Sequence, residues 1–374
     1  MLKLRFPLPV FRNAKEIVSG KNSRMALKGI VANKVALIIS PSFKNSSYYE
    51  QLIRLINSES VLVIEKSWTG EPDVKSLAPT ISELEIYKPD YIIALGGGSV
   101  IDGAKLAWMF YEYPSVDLND LYKPFSLPPL GSKSKFASIP TTIGSGSEVS
   151  SAAVMIDPES MSKKAVVTHD FLSELVILDP DLVSDVPINI LKLSIADALS
   201  HAVEGYVSKI NHPIMDSFAE KVLSIIQKNS KFFNDSKFST ETITDLQNAS
   251  MLAGIVQNHC VVGMSHAIAH QLAVHNIGHA LANGVLMPHV IDFNIQDEAT
   301  KLKYFNLCKN SGIKNIDQIK TLFKILVENQ EPSVSIQNKE IKKICANALD
   351  DPAARTNPIS FSEDDVNKMM KYIL

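Results

Sequence analysis

Five short apolar runs, Val35–Ile39, Val61–Ile64, Tyr91–Leu95, Phe136–Ile139 and Leu175–Leu178, punctuate the first half of the chain. Most are rich in β-branched residues, and several end in Gly, Pro, Ser or Asp. They are continuously apolar rather than alternating, the pattern of strands buried on both faces, as in a parallel sheet with helices on either side. Periodic segments such as Tyr49–Ile56 and Val74–Ile86 lie between them. Repetition of strand, helix and strand predicts a doubly wound, Rossmann-like α/β domain. After Asp179-Pro180 the runs become longer and helical: Ile190–Ser208, Pro213–Lys228, Glu241–Val262, His266–Val274, Lys301–Leu307 and Ile316–Glu328. The expected architecture is an α/β domain over residues 1–183 and an all-α domain over residues 184–374, with polar Ser230–Ser239 a loop between helices.

A chain of 374 residues is long enough to divide into two cores. A net charge of −3 argues against a general nucleic-acid binder. The cysteines (Cys260, Cys308, Cys345) are too few and too irregular for a disulfide framework and fit a reducing cytoplasm. Lys3 and Arg5 are followed by Pro7, Pro9, Arg12 and Lys15 rather than an apolar leader segment. No stretch approaches the roughly 20 apolar residues that span a bilayer. A cytoplasmic protein with no membrane partner is expected.

Three segments carry chemistry. Gly96-Gly97-Gly98-Ser99 follows the Tyr91–Leu95 run and opens a helical stretch through Lys105. Unpaired amides at a helix start favour an anion, and missing Cβ atoms let a pyrophosphate approach. A plain tight turn explains three glycines equally well, and this is not the G-x-G-x-x-G fingerprint. Ile139-Pro140-Thr141-Thr142-Ile143-Gly144-Ser145-Gly146-Ser147 follows another strand, and its hydroxyls suit a ribose or phosphate at the carboxyl edge of the sheet. Asp197 and His201 share a helix face with Glu204, and His266 and His270 form a second i, i+4 pair before His279. One carboxylate and three imidazoles can close around Fe2+ or Zn2+. Spacing alone leaves open which histidines bind, since His259, His270, His275 and His289 are also available.

In order, the motifs GGGSVID with Lys105, IPTTIGSGSEV, LDPDL, DALSHAVEGY and HALANGVLMPH resemble those of the iron-containing (group III, iron-activated) alcohol dehydrogenases, from about Val35 to His289. A weaker echo is Thr356-Asn357-Pro358. The resemblance implies a nucleotide-binding domain and a helical metal-binding domain of dehydroquinate-synthase-like fold, with the active site in the cleft between them. Asp197, His201, His266 and His279 would be the metal ligands, and His270 an active-site histidine near the nicotinamide. Gly97, Gly98 and Ser99 would hold the pyrophosphate, with Asp102, Thr141, Thr142 and Lys164 around the nicotinamide and ribose. The implied cofactors are Fe2+, with Zn2+ second, and NAD(H) or NADP(H). The implied reaction is reversible hydride transfer between nicotinamide and a small alcohol–aldehyde pair, the metal acting as a Lewis acid on the substrate oxygen. Members of that family are often dimers, which makes a homodimer one expectation.

Some positions depart from the family pattern. No Asp follows the first strand: Ile39-Ser40-Pro41 leads to Ser42, Lys44, Asn45 and Ser46, which could accept a 2′-phosphate. The His270–His279 interval is short and Ala280 replaces the usual Gly, so His275 is the fallback ligand. Gln257 stands where a pocket aromatic is frequent, with His259 two residues on; facing the pocket they would suit a polar or anionic substrate, and otherwise they pack helices. The competing readings are a zinc-dependent, glycerol-type polyol dehydrogenase, a metal-free maleylacetate-reductase-like enzyme, a dehydroquinate-synthase-like lyase and a nucleotide-binding regulatory protein. The complete ligand set counts against the metal-free and regulatory readings. Bound-metal analysis and net NADH change separate the others.

Overall fold

The computed structural model describes residues 11–158, 162–330 and 336–374; Pro7 and Pro9 lie outside them. Its elements run β1 (Glu16–Ser19), β2 (Lys34–Ile39), α1 (Tyr49–Leu55), β3 (Ser60–Glu65), α2 (Val74–Tyr87), β4 (Tyr91–Gly96), α3 (Gly98–Glu112), α4 (Leu118–Leu121), β5 (Lys135–Pro140), β6 (Ala152–Asp157), β7 (Ser162–Val167) and β8 (Leu175–Leu178). Helices follow: α5 (Ile188–Val207), α6 (Pro213–Asn229), α7 (Thr240–Cys260), α8 (Met264–Leu272), α9 (His279–Asn294), α10 (Glu298–Ser311), α11 (Ile316–Val327), α12 (Asn338–Asp350), α13 (Pro352–Thr356) and α14 (Glu363–Met370). The chain divides into two compact units, residues 14–188 with 237–248, and residues 11–13 with 189–236 and 249–374. Each has its own apolar core.

The first unit is built on a six-stranded parallel sheet in the order β1-β8-β5-β4-β2-β3. The five apolar runs form β2, β3, β4, β5 and β8. Ile92 and Ala94 face one core cluster while Ile93 and Leu95 face another, so the central strand β4 is covered on both sides and has no polar face. The order reverses at β2: β3 lies to one side, and β4 and then β5 to the other. The carboxyl ends of β2 and β4 flank this switch point, where open α/β sheets bind ligands.

Two strand features depart from the sequence pattern. β1 adds an edge strand of four residues, and β6 and β7 form a separate antiparallel hairpin. The hairpin contacts α3, which is buried continuously from Val100 to Glu112 between its neighbours. At Gly103 a Cβ would come within 2.1 Å of the Trp68 ring, so only glycine lets that indole lie against the helix. Among the described residues of the second unit there are helices and no strands, as the change of texture after Pro180 predicts. No helix among the described residues is long and apolar enough to cross a membrane.

Candidate metal centre and nucleotide cavity

In the helical unit, α5 presents Asp197 and His201 one turn apart, α8 presents His266 and His270, and α9 opens on His279 behind Gly278. One donor atom from each of Asp197, His201, His266 and His279 lies within 4.8 Å of the others. Asp197 Oδ1 is 3.6 Å from His279 Nε2 and 3.8 Å from His266 Nε2, and Asp197 Oδ2 is 4.0 Å from His201 Nε2. These spacings are too long for hydrogen bonds. They are close to the separation of about 3.4 Å that four donors have around a cation held about 2.1 Å from each. Asp197, His201 and His266 are buried, and His279 is partly open.

The partners of the cluster set its chemistry. His266 Nδ1 donates to Glu204 Oε2 at 2.6 Å, which fixes the tautomer and leaves a lone pair on Nε2. That Nε2 is fully buried and has no hydrogen-bond partner. An imidazole nitrogen in this position costs free energy unless something electrophilic meets it. Glu204 also accepts from Gly263 N–H and Ser265 N–H, each at 2.8 Å, and so caps the start of α8 with the same carboxylate. Burial pushes Glu204 up, but His266 and the two backbone donors outweigh it and hold the group below the usual carboxylate range. Gly263 is required there, since a Cβ would meet Asn357 Oδ1 at 2.7 Å and Glu204 Oε1 at 3.1 Å. Burial pushes His201 down to about 4, so its imidazole stays neutral and able to ligate. Asn283 Nδ2 donates to Asp197 Oδ1 at 3.0 Å, and Ser265 Oγ donates to Asn283 Oδ1 at 3.0 Å. The donor set and its orphaned nitrogen fit a divalent cation.

His270 stands beside the set rather than in it. Its ring stacks on His279 at 5.3 Å, and its Nδ1 donates to Asp351 Oδ2 at 2.8 Å. His275 is not among the gathered donors. His259 is held against the N-terminal segment and its own helix: its ring stacks on Phe11, its Nδ1 donates to Ile255 O, and its Nε2 accepts from Arg12 N–H. Gln257 Oε1 is buried without a hydrogen-bond partner.

In the sheet unit, a cavity of about 450 Å³ opens at the carboxyl ends of β2, β3, β4 and β5. Ser42, Gly97, Ser99, Thr141 and Thr142 line it. The remaining candidates stand elsewhere. Gly98 packs under the hydroxyl loop, where a Cβ would lie 2.8 Å from Ser145 Oγ. Asp102 Oδ2 accepts from Val154 N–H at 3.0 Å, and burial pushes this carboxyl up to about 6. Lys164 Nζ pairs with Asp157 at 2.7 Å and lies over the Tyr122 ring. It is the neighbouring Lys163, on the opposite face of the hairpin, that pairs with Glu71 at 2.8 Å. Glu71 is close enough to raise Asp102 electrostatically. Lys105, fully buried, donates to the carbonyls of Ser147, Ser150 and Ala152 at 2.6, 2.7 and 3.3 Å, tying the hydroxyl loop to α3. Sequence reading had no means of finding Lys66, which also lines the cavity, because its place depends on the pairing of β3 with β2.

Residues 14–180 match the family described as iron-containing alcohol dehydrogenase, and residues 193–374 match its C-terminal part. The chain is 28% identical to the NADPH-dependent butanol dehydrogenase of Clostridium saccharobutylicum, over 99% of this chain and 98% of that one. It is 30% identical to the 1-propanol dehydrogenase PduQ of Citrobacter freundii, over 78% and 75% of the two chains. Among solved structures, the iron-containing alcohol dehydrogenase of Thermococcus thioreducens superposes with a TM-score of 0.87 at 24% identity, over 97% of this chain and 99% of that one. A 1,3-propanediol oxidoreductase superposes with a TM-score of 0.86 at 22% identity, over 98% and 100%. The family's description specifies iron, so zinc is not the favoured metal. An ordered set of motifs, a metal-compatible quartet and matches over both halves lead to one conclusion: this chain belongs to the iron-containing alcohol dehydrogenase family.

Proposed function

We propose that this alcohol dehydrogenase interconverts a small alcohol and its aldehyde, using Fe2+ held by Asp197, His201, His266 and His279 and a nicotinamide dinucleotide held in the sheet-end cavity. The observation that carries the metal is His266 Nε2, buried, unpartnered and aimed by Glu204 into a set of donors within 4.8 Å of one another. When bound, the cation supplies Lewis acidity toward the substrate oxygen and the nicotinamide supplies or accepts the hydride.

The chain's own residues do the positioning. Glu204 orients His266, and Asn283 holds Asp197 Oδ1. Asp351 engages His270 Nδ1, which leaves His270 Nε2 as the atom that exchanges a proton with substrate or orients the nicotinamide. Ser99, Thr141 and Thr142, at the start of α3 and the end of β5, offer hydroxyls to the pyrophosphate and ribose. Lys164, the hairpin lysine expected near the nicotinamide and ribose, is paired with Asp157, and the adjacent Lys163 with Glu71. Replacing His266 by Ala is expected to abolish stoichiometric iron and lower turnover by more than about 100-fold. Metal analysis beside an assay with small aldehydes and both reduced cofactors checks it. Unchanged iron loading and rate in that variant would remove the metal site.

A further inference from the structure

The sheet-end cavity is lined largely by hydroxyls, an amide and apolar groups, and among the described residues Lys66 is the one cation that lines it. Lys66 follows β3, and its backbone N–H donates to Ile39 O at 3.0 Å. This pins it beside the end of β2, where Ser40 and Ser42 begin the next loop with their hydroxyl oxygens 2.7 Å apart. Its ammonium donates to Ser99 Oγ at 3.2 Å and lies 5.8 Å from the centre of the Trp68 ring.

Among the described residues no carboxylate forms an ion pair with Lys66. Glu71, the acid nearest in its electrostatics, is paired with Lys163. Lys44, the cation suggested by sequence for this region, is exposed, and its ammonium goes to Glu65 at 2.6 Å. A half-buried ammonium whose partners are a hydroxyl and a ring face has given up water without gaining an anion. Burial accordingly lowers its pKa. The loop after β2 carries no acid that would repel a phosphate. Asp185, the one acid among the described lining residues, arrives on a separate segment with Leu182, Val186 and Pro187.

We propose that Lys66 is the specificity-determining residue for the adenosine 2′-phosphate of NADP(H), with the hydroxyls of Ser40, Ser42 and Ser46 completing the subsite. The inference rests on the reading of this cavity as the cofactor's. A phosphate dianion meeting an ammonium in a partly dry pocket gains charge-assisted hydrogen bonds, whereas a ribose 2′-hydroxyl gains little from the same group.

The test needs no turnover. Full-length protein and its Lys66→Met and Lys66→Arg variants are titrated calorimetrically with adenosine 2′,5′-bisphosphate and with 5′-AMP. The native chain is expected to bind the bisphosphate at least about tenfold more tightly than 5′-AMP. Lys66→Met is expected to erase that difference while leaving 5′-AMP affinity within about twofold, and Lys66→Arg to retain most of it. Equal losses for both ligands in Lys66→Met would assign the ammonium to the 5′-phosphate and overturn the proposal, as would no change for either. A native chain that binds both nucleotides equally sinks this inference alone. One that binds neither sinks the cofactor reading of the cavity.

Discussion

One carboxylate, that of Glu204, both starts a helix and aims a candidate ligand imidazole. It accepts two backbone N–H groups at the head of α8 and the Nδ1 proton of His266, all while buried. An amide at this position keeps the shape but replaces one acceptor oxygen with a donor, which then faces N–H. Glu204→Gln is therefore expected to weaken metal binding by about 10- to 100-fold, the usual effect of losing an orienting partner. Competition against a chromophoric chelator measures it, and an unchanged affinity would show that His266 needs no such hold. Sequence spacing places Glu204 on the helix face of Asp197 and His201, so its neighbourhood to the site is legible. Its partners Gly263 and Ser265, some sixty residues on, are not, because no local pattern encodes them. The same holds for Asp351, which meets His270 across 81 residues.

At the scale of elements, the buried helix α3 joins the glycine turn to the hairpin and the hydroxyl loop. Gly103→Ala sets a methyl 2.1 Å from the Trp68 ring, and Trp68 Nε1 in turn donates to Ser99 O at 3.0 Å. The ring must shift, so the variant is expected to lose about 1–3 kcal/mol of stability, the range for overpacking a filled core. Urea unfolding reads this directly, and a change below about 0.5 kcal/mol, the range of a neutral surface substitution, would mean that the indole moves freely. The strands buried on both faces were legible because an unbroken apolar run needs no partner information. β1 was not, since it is a four-residue edge strand with little burial, tied to β8 from the far end of the domain. On the hairpin, side chains alternate sides along a strand, so Lys164 is held by Asp157 and the adjacent Lys163 by Glu71, pairings that no local pattern encodes.

For the molecule as a whole, the two units have separate cores and separate candidate ligands: the metal donors lie in one and the nucleotide cavity in the other. Removing the metal with a chelator is expected to speed amide exchange in α5, α8 and α9 while leaving β2, β4 and β5 nearly unchanged. Exchange monitored by mass spectrometry checks this, and uniform loss of protection would show that the ion acts on the entire fold. The placement of the donors has a consequence for how the chain is held together. His201 and His266 stand some sixty-five residues apart, with a long stretch of helices looped out between them. An ion bridging them is a cross-link in an otherwise unbridged chain whose cysteines are all free. Because the donors are gathered only in the folded chain, such a staple stabilises that state by mass action, about 2.7 kcal/mol when free metal is a hundredfold above its dissociation constant. Unlike a disulfide, this staple is set by the supply of metal rather than by the redox state of the compartment, so iron starvation would reach the protein as lost durability as well as lost turnover.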